Sequence, residues 1–121
     1  TVQVKASGCC GALNHHLSAE NAALMQIKSN IDTWLPLLDS GEITAITMTA
    51  SGCGVMIREY QHVLQHDSSY AEKAKCISDS YLDPIEIVNK YNNKTLRSKN
   101  KKRIAFHPPC TLQHGQKLPD R

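Results

Sequence analysis

A chain of 121 residues, 40% hydrophobic and 21% charged, has the make-up of one globular domain and not of a low-complexity tail. No apolar run approaches the roughly 18 residues a membrane span needs, and no signal-peptide pattern opens the sequence. The net charge of +3 is uneven, because residues 90–103 (KYNNKTLRSKNKKR) hold seven of the fourteen Lys and Arg and no acid, leaving the rest at −4.

In chain order, TVQVKA (residues 1–6) reads as a strand, and GCCGALNHH (8–16) is a glycine-bounded turn with two adjacent cysteines and two histidines. A helix is predicted over 18–38 from the stripe Leu24, Ile27, Ile31, Trp34, Leu35 and Leu38. Ser18 is expected to cap its start and Gly41 to follow its end in a left-handed conformation, with Pro36 stopping or kinking the last turn. EITAITMTA (42–50) reads as a second, short strand broken by SGCG. Helical periodicity resumes through Val55, Met56, Tyr60, Val63 and Leu64, and again over 70–82. Asp83-Pro84 has the form of an N-cap followed by proline at the first helical position, opening a helix to Tyr91. The basic run has one aromatic, Tyr91, so it reads as a solvated connection and not a nucleic-acid surface. RIAFH (103–107) is the third strand, ended by Pro108-Pro109.

This alternation predicts a single α/β domain over 1–121, a short parallel three-stranded sheet with flanking helices, Rossmann-like. A first residue Thr1, and a helical pattern just starting at TLQHGQKLPDR, predict a fragment of a longer protein. In such a sheet Cys9 and Cys10, Cys53 and Cys110 follow successive strands and share the edge where such folds place their sites. Cys76 falls mid-helix beside Ala74 and Ile77 and is expected to pack as a small hydrophobe.

Five cysteines without a secretion signal point to a reducing, cytoplasmic setting and not to a disulfide framework. Thiolates are soft ligands suited to iron–sulfur centres and zinc. The glycines beside them, Gly8, Gly11, Gly52 and Gly54, are expected to let the backbone approach a bulky centre, to supply positive φ and to offer N–H groups to its sulfides. From pattern alone, metal binding, a redox thiol pair and a plain structural turn all remain open. His15 and His16 read as residues of a turn or helix start, and the i, i+4 pair His62 and His66 as a surface pair. His107 and His114 have no assigned role.

Three segments in this order, SGCCGALNHHLS, TASGCGVMIREY and FHPPCTLQHGQK, resemble the iron–sulfur subunits of bacterial glycolate oxidases. These belong to the cysteine-rich CCG-domain family, with heterodisulfide reductase B subunits and lactate-utilisation iron–sulfur proteins. The resemblance implies the latter part of one CCG repeat (1–100) and the start of the next (101–121). It matches Cys9 and Cys10 to the CCG pair, Cys53 to the second cysteine of CxxC, and Cys110 to the leading cysteine of the next repeat. Ala50 stands where the first CxxC cysteine would be. The implied role is non-catalytic electron transfer through a Cys-ligated iron–sulfur centre, of 4Fe-4S type, with zinc as the alternative metal. The implied partner is a flavin-containing subunit, which oxidises the 2-hydroxy acid on another chain. The implied location is cytoplasmic, or at most peripheral to the inner membrane, with no nucleic-acid partner. A zinc-holding docking module and a thiol–disulfide protein using Cys9 and Cys10 are the competing expectations.

Overall fold

The computed structural model describes residues 4, 7–91, 103, 105, 107 and 109–115. Its elements are α1 (Ala12–His16), α2 (Glu20–Asp39), α3 (Ser51–Val63), α4 (Ala71–Ser80), α5 (Pro84–Tyr91) and a π-helical turn at Thr111–Gly115.

α2 is the longest helix, and its buried face runs Ala23, Ile27, Asn30, Ile31 and Trp34, the period-3.6 stripe of the sequence with one amide inside it. The helix starts later than expected. Ser18 does not cap it but takes φ 59° after α1, and the first-cap position falls to Ala19, whose side chain makes no cap bond. Pro36 lies inside the helix, which continues to Asp39. Gly41 then supplies the expected left-handed residue, φ 73°, with its N–H on the Leu38 carbonyl at 3.0 Å.

α3 begins at Ser51, so SGCG is the first turn of a helix and not a break before one. It packs against α4 through Met56, Ile57 and Tyr60 on one side and Ala74, Ile77 and Ser78 on the other. Ser78 joins the two helices: its hydroxyl donates to the Ile57 carbonyl (2.8 Å) and accepts from the Gln61 N–H (3.1 Å). Together with Ile27, Ile31, Trp34, Ile46, Leu64 and Tyr81 these residues make one buried core. Fully burying each such aliphatic side chain contributes about 1.5–3 kcal/mol.

The expected Rossmann-like parallel sheet is corrected. Among the described residues there is no strand, and the arrangement is helical. Residues 42–50 make a single parallel bridge, Ile46 to Tyr81, with Ile46 N–H on the Ser80 carbonyl and Leu82 N–H on the Ile46 carbonyl, both at 2.9 Å. The physical reason lies in the partner. α4 ends at Ser80 and α5 begins at Pro84, so the extended chain opposite Ile46 is too short to propagate a ladder. The strands expected at 1–6 and 103–107 fall mostly outside the described residues.

α5 opens as its sequence predicts. Asp83 Oδ1 accepts the Ile85 N–H at 2.9 Å while Glu86 Oε2 accepts the Asp83 N–H at 2.8 Å, a reciprocal cap. Replacing Asp83 with Ala should therefore lower stability by about 0.5–2 kcal/mol, read as a shift in urea midpoint at constant slope. A second check concerns the turn before α4. Lys28 Nζ sits 2.6 Å from Asp67 Oδ2, and the Ser69 and Tyr70 N–H groups donate to Asp67 Oδ1. The hydrogen bond from Lys28, then that from Ser69, hold the Asp67 carboxyl below its ordinary value. A depressed carboxylate adds stability above its unfolded-state pKa and loses it as pH falls through the folded one. Asp67→Asn should flatten the acid side of a plot of melting temperature against pH.

Candidate functional site

The cysteine turn between residues 7 and 11 is held from behind by side chains of α2 and α3. Trp34 Nε1 donates to Ser7 Oγ at 2.8 Å. Asn30, fully buried, accepts the Gly8 N–H on Oδ1 and donates Nδ2 to the Cys9 carbonyl, both at 2.9 Å. The same Nδ2 reaches Tyr60 Oη at 3.3 Å, and Tyr60 Oη donates to the Cys10 carbonyl at 2.9 Å. Tyr60 lies parallel to Trp34, with ring centroids 6.5 Å apart and planes 7° apart. Two side chains thus take three consecutive backbone sites of a turn that has no secondary structure of its own. A buried polar group left without a partner costs about 1–3 kcal/mol.

Gly11 ends the turn and caps α1 at φ 89°. A Cβ there would stand 3.1 Å from Ile27 Cγ1 and 3.2 Å from the Ala23 carbonyl oxygen. Conformation and space both demand glycine. The other three glycines differ from this one. The Gly8 N–H is taken by Asn30, Gly52 sits in the first turn of α3 with open space around it, and the Gly54 N–H bonds the Ala50 carbonyl within the helix. Among the four, positive φ occurs at Gly11 alone.

The thiols meet in front of this clamp. Cys9 is exposed, Cys10 is 7% exposed, and Cys53, in the first turn of α3, is half-buried. Cys10 belongs to the buried core cluster, and Cys53 packs against that same cluster from the first turn of α3. Burial pushes the Cys10 thiol up to about 11; the Ala12 N–H opposes this, and Cys53 and Cys9 add to the rise. Burial also raises the Tyr60 phenol, with the same three cysteines contributing. The turn and the start of α3, far apart in sequence, therefore bring a thiol each to one patch of the core.

Cys110 is exposed and immediately precedes the Thr111–Gly115 turn, which lies against α3. Thr111 Oγ1 is 2.6 Å from Ser51 Oγ, and Gly115 closes on Val55. This brings the Cys110 segment to the helix that carries Cys53. Cys76 is exposed on α4 and not packed as expected, because Ala74, Ile77 and Ser78 take the buried face. His15 and His16 lie in α1 with rings 5.9 Å apart. His62 is in the last turn of α3 and His66 beyond its end, so their spacing is not shared on one helix.

Among the described residues, no three of His, Cys, Asp and Glu form a group that could hold a metal as they stand. The donor chemistry nevertheless fits a soft metal or an iron–sulfur centre: two thiols on one core cluster and a third, Cys9, next to Cys10 in the chain. Sequence reasoning found the sulfurs but missed Asn30, Tyr60 and Ser7, and it gave Trp34 only a packing role. The available signal was Asn30, an amide three residues from Ile27 and four from Trp34, inside an apolar stripe.

Residues 1–58 match the cysteine-rich domain model, CCG. The glycolate oxidase iron-sulfur subunit of Escherichia coli (strain K12) is 43% identical over 112 residues, covering 93% of this chain and 27% of that protein. The probable glycolate oxidase iron-sulfur subunit of Bacillus subtilis (strain 168) is 25% identical over 108 residues, covering 88% of this chain and 23% of that protein. The chain thus spans about a quarter of the length of these curated relatives. No solved structure matches it at a significant level.

Gly11→Ala should destabilise the fold by about 1–2 kcal/mol in urea denaturation, since left-handed backbone strain adds to the contact with Ile27. In the reduced, metal-free protein, Cys10 should also alkylate more slowly than Cys9 at neutral pH, measured by peptide mass spectrometry.

Proposed function

We propose that this chain, which belongs to the cysteine-rich CCG-domain family, is part of the electron-transferring iron–sulfur subunit of a glycolate-oxidase-type dehydrogenase. The single observation that supports the role of its thiols is that Cys10 of the CCG turn and Cys53 of the SGCG helix start converge on one core cluster. Cys9, Cys10 and Cys53 are the ligands this reading assigns, with Cys110 as a further one from the segment laid against α3. An iron–sulfur centre, when bound, takes up and releases single electrons.

The chain's own part is to hold and tune. Asn30 and Tyr60 hold the backbone of the turn, and the core beneath Cys10 excludes water from its inner side. Low local polarity and few charges near the sulfurs are among the levers that set a cluster's potential. Substrate oxidation falls, on this reading, to a flavin-containing partner subunit. No helix among the described residues is long and apolar enough to cross a membrane.

Anaerobic reconstitution of the full-length protein with iron and sulfide tests the reading. A broad visible absorption that bleaches on reduction is expected. Cys10→Ser and Cys53→Ser should each lower iron retention by more than half, while Cys76→Ser leaves it unchanged. Stoichiometric colourless zinc would favour a docking module instead. A Cys10–Cys53 disulfide without metal would favour thiol redox chemistry, and equal loss in Cys76→Ser would undo the ligand assignment.

A further inference from the structure

We propose that Asn30 and Tyr60 are positioning residues that fix the backbone of the Cys9–Cys10 turn so that the Cys10 thiol stays buried, on the core that Cys53 also joins. This rests on the ligand reading for its purpose, but not for its geometry. Neither side chain is accounted for by core packing alone. Asn30 is fully buried in the apolar stripe of α2, and both of its polar atoms are spent on the turn and on Tyr60. Tyr60 is fully buried on α3, and its hydroxyl ends on the Cys10 carbonyl.

The choice of sites is selective. The Gly8 N–H and the Cys9 and Cys10 carbonyls are backbone groups of an irregular segment, which offers no ladder or helix bond to absorb them. With these three satisfied from below, the peptide planes flanking both cysteines are fixed. Cys10 is thereby turned inward to the core and Cys9 left outward. Cys53 sits on the same helix as Tyr60, so one rigid element holds the turn's carbonyl and also carries a thiol packed on the Cys10 cluster. The stack of Tyr60 on Trp34, itself bonded to Ser7, locks the phenol's direction from the α2 side.

Tyr60→Phe tests this with the least disturbance, because it keeps the ring and its stack and removes the hydroxyl. Asn30→Ala is the companion variant, and Asp83→Ala, which loses only the α5 cap, is the control for general destabilisation. In metal-free full-length protein, iodoacetamide modification of Cys10 is followed relative to the exposed Cys76. The Cys10:Cys76 rate ratio is expected to rise about 3- to 10-fold in Tyr60→Phe, as loss of one hydrogen bond allows, and to stay at the wild-type value in Asp83→Ala. In reconstituted protein, Tyr60→Phe should retain iron but shift the electron paramagnetic resonance spectrum of the reduced state. A ratio within twofold of wild type, or an equal rise in Asp83→Ala, overturns the proposal, as does a reduced-state spectrum identical to wild type. If the wild-type protein takes up no iron, the electron-relay reading falls, and the alkylation ratios alone decide the clamp.

Discussion

A single buried carboxamide, that of Asn30, is the constraint on which the cysteine turn depends. Burying an amide in an apolar stripe is unfavourable unless every donor and acceptor is matched. In α2 it is matched entirely by the turn and by Tyr60, a residue of α3. The α2 stripe therefore does two jobs. Its aliphatic members join the core, and its one polar member dictates where the preceding loop must lie.

The rest of the fold supports the same region. α4 braces α3 through the Ser78 hydroxyl and the contacts of Ala74 and Ile77, so the helix carrying Cys53 and Tyr60 is anchored along its length. Downstream, Arg58 pairs with Glu86 at 2.6 Å and lies over the Tyr81 ring, tying α5 to the same helix. The side-chain ties of Asn30, Trp34, Tyr60, Ser78, Arg58 and Thr111 each have an end on the turn, on α3 or on α4. The α1 side is anchored more lightly, with Leu13 and Leu17 exposed.

How much of this was legible in the sequence depended on the kind of signal. The helices were legible where period and caps agreed, as for the stripe of α2 and the Asp83-Pro84 start of α5. The sheet was misread. Ile and Thr over 42–50 favour extended backbone, but a ladder needs a partner, and the partner has only the short link between α4 and α5 to offer. Ser18 was misread because a capping residue and a left-handed one look alike in sequence when one helix closes just before the next opens. At the site, the sulfurs announced themselves by composition and spacing. The clamp did not, since a single Asn or Tyr within a helix is unremarkable until its tertiary partner is known. Cys76 shows the converse: sequence neighbours that are buried do not bury the residue between them.

Trp34 is the only tryptophan in the sequence. It is buried, stacked on Tyr60 and bonded to Ser7 at the base of the cysteine turn. The molecule thus contains a built-in optical probe at its most informative position. Indole emission responds to its polar partner and to any nearby absorbing or heavy-atom group. Loosening of the turn and filling of the sulfur cluster would each leave a distinct imprint on one intrinsic fluorescence band, without a label.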